Sequence, residues 1–308
     1  MSELIPLTII GGYLGAGKTT LLNHILRHND GFRLTVLVND FGDINIDAEL
    51  VENQDGDTIN LANGCICCTL ADGFVGAINT ILEQNPHPDR IIVEASGVSD
   101  PIKIAHYAQM RGVSLDGVIV VADAEKVQAK VDDKYVGYMV SQQLNGADIL
   151  ILNKVDLVDQ DQRPAVRGWL AEAAPHSRIY ETQYGNIPLE LLLGIDTKRK
   201  SSTAGSGSDI LPFVTWSYVE DAPLQRRLLA RLLDDLPKSI FRAKGFLNLQ
   251  NVPQHRTILQ LVGRRWVLSP GRAWDGEKPQ TRIVWIGENG QFEQEGLAAA
   301  LDACTHPS

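Results

Sequence analysis

Leu7-Thr8-Ile9-Ile10-Gly11-Gly12-Tyr13-Leu14-Gly15-Ala16-Gly17-Lys18-Thr19 decides the fold. Four residues rich in branched apolar side chains predict a buried strand, a glycine-rich loop follows, and Lys18–Arg27 carries Leu21, Leu22, Ile25 and Leu26 at helical spacing. Gly12 to Thr19 fits G-x-x-x-x-G-K-[ST]. Glycines let such a loop curl until its amides face a phosphate chain, and Lys18 offsets charge between the β and γ groups. Thr19 has a hydroxyl suited to Mg²⁺, and the helix start adds the positive end of its dipole. The nucleotide set expected from this segment is Gly12, Gly15, Ala16, Gly17, Lys18, Thr19 and Thr20, with Lys18 also the catalytic cation. The bland alternative, a structural glycine turn, does not require the strand and helix that flank the loop here.

Outward from this loop, short β-branched runs alternate with helical patterns. Leu34–Val38, Arg90–Glu94, Val118–Asp123, Ile149–Asn153 and Arg178–Tyr180 read as strands, and Gly73–Glu83 as a helix with Phe74, Ile78, Ile81 and Leu82 on one face. That alternation predicts an α/β fold, a doubly wound, mostly parallel P-loop NTPase sheet covered on both faces. Lys198–Asp209, KRKSSTAGSGSD, is small, polar and glycine-rich, and is expected to be a flexible linker. Beyond it, Phe213–Val219, Gly245–Leu249, Thr257–Val262, Trp266–Leu268 and Arg282–Ile286 read as strands, with helices at Arg226–Leu233 and Gly296–Ala303. The expected division is a first domain over 1–197, a linker over 198–211 and a smaller α+β C-terminal domain over 212–308.

Bulk properties narrow the function. With 308 residues, a net charge of −10 and 21% charged residues, the chain is an ordinary globular sequence with an acidic balance. Phosphate backbones and anionic membranes attract Lys and Arg, so neither nucleic acid nor a membrane surface is an expected partner. There is no apolar run of membrane-spanning length and no basic, apolar leader in Met1–Pro6, so a cytoplasmic location is expected. Three of the four cysteines, Cys65, Cys67 and Cys68, sit together, and Cys304 stands apart. That is no disulfide framework; it points to metal or redox chemistry in a reducing compartment.

Asn153-Lys154-Val155-Asp156 follows the strand ending at Asn153, where a doubly wound sheet presents loops to its ligand. The Asp156 carboxylate can accept two hydrogens from guanine N1 and N2, a donor pair adenine lacks. Asn153 is placed to reach the O6/N7 edge, and the Lys154 stem to cover the ring. A competing reading makes Asn153 or Asp156 a simple helix cap. Ile91–Gly97, IVEASG after the first Ile, ends a strand in Glu94, which can hold Mg²⁺ through water, and the Gly97 amide can sense a γ-phosphate.

Asn63-Gly64-Cys65-Ile66-Cys67-Cys68-Thr69 carries the second chemistry. Thiolates are soft ligands that select zinc, copper(I) or similar ions. Three fall short of a closed Cys₄ site, so the fourth ligand is a carboxylate, a histidine or water, and an open site suits an ion that leaves again. Buried inert thiols, a structural zinc and a redox pair are the alternatives, although adjacent cysteines make a poor disulfide.

Taken in order, the phosphate loop through Thr20, Asn39-Asp40-Phe41-Gly42-Asp43, the C-x-C-C segment, Glu94-Ala95-Ser96-Gly97 with Asp100-Pro101, and Asn153–Asp156 closely resemble the CobW family of G3E GTPases. Phe241–Gly245 and Arg282–Gly287 resemble that family's C-terminal domain. The resemblance implies a GTP-dependent metallochaperone, cycling between GTP and GDP with Mg²⁺ and carrying Zn²⁺ or Co²⁺ to a client metalloprotein. Cys65, Cys67 and Cys68 would carry the ion. Asp40 and Asp43 replace glutamates of the family pattern and reach about one methylene less. Asp43 is assigned to the transition metal, Asp40 with Thr19 and Glu94 to Mg²⁺, and Asp43 or Glu94 to orienting the attacking water. No histidine-rich tract occupies the linker, which argues against metal storage, and a homodimer is left open. Two rivals remain: an assembly factor whose cysteine site is purely structural, and a small-molecule kinase, against which N-K-x-D counts.

Overall fold

A computed structural model describes residues 4–29, 31–38, 58–60, 70–108, 112–194 and 213–305. The chain divides into two compact units, Met1–Leu192 and Leu193–Ser308.

In the first unit the strands are β1 (Ile5–Gly11), β2 (Leu34–Val38), β3 (Thr58–Asn60), β4 (Arg90–Glu94), β5 (Val113–Asp123), β6 (Ile149–Asn153) and β7 (Arg178–Glu181). They form one sheet in the order β3-β2-β4-β1-β5-β6-β7, and every pairing in it is parallel. Parallel strands need crossover connections, which cover both faces and leave the strands apolar throughout. Accordingly all five residues of β2, β4 and β6 are buried. The covering helices are α1 (Lys18–Arg27), α2 (Leu70–Glu83), α3 (Pro101–Tyr107), α4 (Val127–Val131), α5 (Gly137–Asn145), α6 (Arg163–Ala173) and α7 (Leu189–Leu193). One core cluster joins Ile9, Val93 and Val120 of the sheet to Phe74, Ile78 and Ile81 of α2.

The parallel P-loop sheet expected from the sequence is therefore present, with two corrections. β5 begins at Val113, five residues before the expected Val118, because Val113 to Leu115 pair with Ile5 to Leu7 before a register shift at Leu7/Thr8. Asp116 and Gly117 hide this extension in the sequence, yet Asp116 accepts a hydrogen bond from Thr8 Oγ1 at 3.3 Å. β3 was not expected, since three residues cannot show a periodicity.

The second unit holds β8 (Phe213–Glu220), β9 (Ile240–Leu247), β10 (His255–Val262), β11 (Arg265–Ala273) and β12 (Thr281–Glu288), with α8 (Arg226–Asp234) and α9 (Gln294–Asp302). The order is β11-β10-β9-β12-β8, antiparallel throughout. Leu229 and Leu233 of α8 and Leu297 and Leu301 of α9 share a core with Leu259, Ile283 and Trp285. β9 starts at Ile240 and ends at Leu247, so the expected Gly245–Leu249 strand is displaced toward the N-terminus. Arg242 and Lys244 alternate with Phe241 and Ala243, and that charge content masks the strand in the sequence. The expected linker lies outside the described residues.

Candidate functional site

The strand order reverses at β1, which has β4 on one side and β5, then β6, on the other. Loops leaving the carboxyl ends of these four neighbours meet at one place, where open α/β sheets bind ligands.

The loop after β1 carries Gly12, Gly15 and Gly17 at φ of 131°, 76° and 105°, a left-handed run that L side chains resist. At Gly12 a Cβ would collide with the carbonyl oxygen of Val121 in β5, so the loop lies flush against the neighbouring strand. Gly17 is the N-cap of α1 and brings no capping side chain. The first-turn amides of α1 are thereby left to an external acceptor. Lys18 is 6% exposed.

Glu94 ends β4 in register with Ile10 and is 2% exposed. Thr19 Oγ1 donates to Glu94 Oε1 at 3.2 Å, so the hydroxyl and the carboxylate assigned to Mg²⁺ are adjacent. Hard oxygen donors of this kind fit Mg²⁺. Gly97 packs on the phosphate loop: a Cβ there would lie 2.6 Å from Leu14 Cδ2 and 2.8 Å from Leu14 N.

At the end of β6, Asn153 is 2% exposed. Its Nδ2 donates to Ala16 O at 3.0 Å and its Oδ1 accepts from Gly185 N at 3.1 Å. The strand end buries this amide between two loops, which it braces. Lys154 takes a left-handed φ of 62°. Its ammonium donates to Gly15 O and to Asp123 Oδ2, each at 2.7 Å. Asp156 lies on a 3₁₀ turn, Val155–Leu157, and is exposed. It lines a cavity of about 470 Å³ with Arg163, Glu181, Thr182, Gln183 and Asn186.

Two contributors were missed in the sequence. Asp123 ends β5 and orients Lys154, but a strand-terminal acid has no distinctive spacing. The turn after β7 places Tyr184 and Gly185 at φ of 55° and 64°, closed by Asn186 N to Gln183 O at 3.1 Å. Its only sequence signal is Gly185. Asp40, Asp43, Cys65, Cys67 and Cys68 lie outside the described residues. Among the described residues no group of three or more His, Cys, Asp or Glu is placed to hold a metal. Nor is any described helix long and apolar enough to cross a membrane.

A family model described as the CobW/HypB/UreG nucleotide-binding domain matches residues 6–181. The chain belongs to this family. Residues 213–305 match the cobalamin synthesis protein cobW C-terminal domain, which makes the chain a two-part, CobW-type G3E GTPase. "Zinc chaperone CobW" of Sinorhizobium sp is 30% identical, over 97% of this chain and 97% of that protein. "Zinc chaperone YjiA" of Escherichia coli K12 is 30% identical, over 96% of this chain and 98% of that one. Superposed on the crystal structure of Zn(II)-bound YjiA GTPase from E. coli, the chain shows 23% identity, 99% and 100% coverage and a TM-score of 0.48.

Proposed function

We propose that the chain hydrolyses GTP slowly and uses the cycle to bind and release a transition metal, with Zn²⁺ foremost, for a client metalloprotein. Cys65, Cys67 and Cys68 hold the ion, with Asp43 as a further ligand. Asp156 reads the guanine edge, Lys18 and the loop amides hold the phosphates, and Gly97 senses the γ-phosphate. Mg²⁺ would be held by Thr19 and Glu94 with Asp40, and would neutralise charge on the β- and γ-phosphate oxygens. Glu94 or Asp43 orients the attacking water.

One observation carries the link between the two chemistries. Asn60, the last residue of β3, is in register with Val38, and Val38 is in register with Glu94. The Asn60 backbone therefore stands two strand spacings, about 10 Å, from that of Glu94. Cys65 follows it by five residues and Cys68 precedes α2 by two. The last described residue before the cysteine segment thus ends a strand two places from Glu94, which supports coupling between metal and nucleotide. Two relatives matched over 97% and 98% of their own length are named zinc chaperones, which supports zinc as the cargo.

Competitive zinc titration of single variants tests the ligand set. Cys67→Ser should weaken binding at least tenfold, whereas Cys304→Ser should leave it unchanged. The Cys304 thiol is buried, donates to Ala300 O at 3.3 Å, and has its pKa raised by burial, which disfavours the thiolate a metal needs. The reverse ranking would move the ion away from the C-x-C-C segment.

A further inference from the structure

The loop after β4 is held from two sides, and only one of them is the nucleotide site. Gly97 faces Leu14 of the phosphate loop. From the opposite side comes Gln143 of α5, which is 1% exposed. Its Nε2 donates to Gly97 O at 3.1 Å and to Ser99 O at 2.8 Å. Both hydrogens of one buried amide are therefore spent on two carbonyls of the same short loop. The loop's own bonds are few: Ser99 N donates to Ser96 O at 2.8 Å, and Asp100 caps α3 by accepting from Ile102 N at 2.9 Å. The arrangement is not one of general satisfaction, since Gln143 Oε1 and Ser99 Oγ, both buried, have no hydrogen-bond partner in the described structure. A buried amide that leaves its oxygen unmatched is poor at stabilising a core. It is well suited to fixing the direction of the two carbonyls it does bind.

From this geometry we infer that Gln143 is a positioning residue for the γ-phosphate sensor, restraining the backbone torsions at Gly97 so that the loop discriminates GTP from GDP. The inference rests on the proposed role of the Gly97 amide, and it adds a control point on α5, outside the motifs that touch nucleotide. The Gly97 carbonyl shares its peptide plane with the Val98 amide and is joined to the Gly97 amide through a single Cα, so holding it restrains the backbone torsions that aim the Gly97 N–H. Release of the clamp should therefore alter the fit of the third phosphate while leaving the β-phosphate cradle, built on Gly12 to Thr19, unchanged.

The test is Gln143→Met, which keeps length and helix propensity and removes both donors. Affinities for GDP and for a non-hydrolysable GTP analogue are measured by titration on the full chain, with kcat and KM for GTP and a thermal melt. Losing the bonds should weaken analogue binding by about tenfold and lower kcat, with GDP affinity within about twofold of wild type. Equal losses for both nucleotides, or none, would overturn the inference while leaving the phosphate site assigned. Wild-type protein that binds analogue and GDP alike and does not hydrolyse GTP would instead sink the underlying reading. Should the variant fail to fold, the wild-type protein carries the test by NMR. The side-chain amide signals of Gln143, assigned through its own side chain, should shift between the GDP and analogue states, and identical signals would refute the role.

Discussion

In the first unit Lys18, Glu94, Asp123 and Asn153 are each less than a tenth exposed, and all four stand at the carboxyl edge of the parallel sheet. In the second unit several buried polar groups link neighbouring elements instead. Arg256, 4% exposed, lies between the rings of Phe246 and Trp274 at 5.3 and 5.0 Å and pairs with Glu277. Thr281 Oγ1 accepts from Asn248 N at 3.0 Å, tying the start of β12 to the end of β9. Tyr218 OH donates to Asp302 at 2.7 Å, fastening β8 to α9. Buried polarity costs stability wherever it occurs. Convergence on one edge marks the first sheet as the chemical one, and local pairing marks the second as a frame.

Variants that separate these two uses sharpen the contrast. The largest effect is expected from Lys18→Ala: nucleotide affinity should fall roughly a hundredfold or more, as a charge-assisted contact to phosphate is lost, with little change in melting temperature. Binding titration and calorimetry would check this, and unchanged affinity would refute the phosphate site. Asn153→Ala should affect both properties, since it orphans Ala16 O and Gly185 N. A stability loss of about 1–3 kcal/mol by denaturant unfolding, together with weaker nucleotide binding, is expected. If only one of the two changed, the bracing role would be wrong. Arg256→Met should lower the stability of the second unit by about 2 kcal/mol through loss of the stacked cation, with GTP turnover unaltered below the melting range. Altered turnover would mean that the frame takes part in the chemistry.

The smallest expected effect concerns pH. Burial pushes the pKa of His24 below its usual 6.5, partly offset by its hydrogen bond to Ile187 O and reinforced by His28 and Arg27. The neutral ring is thus the form the fold prefers. Its contribution is fully present above pH 6.5 and is lost as pH falls through the lower folded value. His24→Gln should flatten part of the decline in melting temperature on acidification from pH 7 to 5. An unchanged slope would assign that decline to other groups.

The sheet was legible because its strands are continuous apolar runs, and β2, β4 and β6 fall on their expected bounds. Motifs fixed by chemistry, such as Gly12 to Thr19, were legible for the same reason: few residue types satisfy the contact. What the sequence hid are groups whose work depends on where the chain returns. Gln143 is an unremarkable helical glutamine until α5 is seen beside the carbonyls of Gly97 and Ser99. Asn153 is visible in its motif, but its bracing of two loops 137 and 32 residues away shows only in the fold. β3 is too short to register in the sequence, yet its last residue, Asn60, stands two strands from Glu94.

The coupling of that cysteine segment to the nucleotide is tested most directly by titrating Zn²⁺ against a chelator with a GTP analogue, with GDP and without nucleotide. Affinity should differ by about fivefold or more between the analogue and GDP, and in the reverse titration zinc should shift nucleotide affinity by the same factor. Equal zinc affinity in all three states would contradict metal handling driven by the GTP cycle.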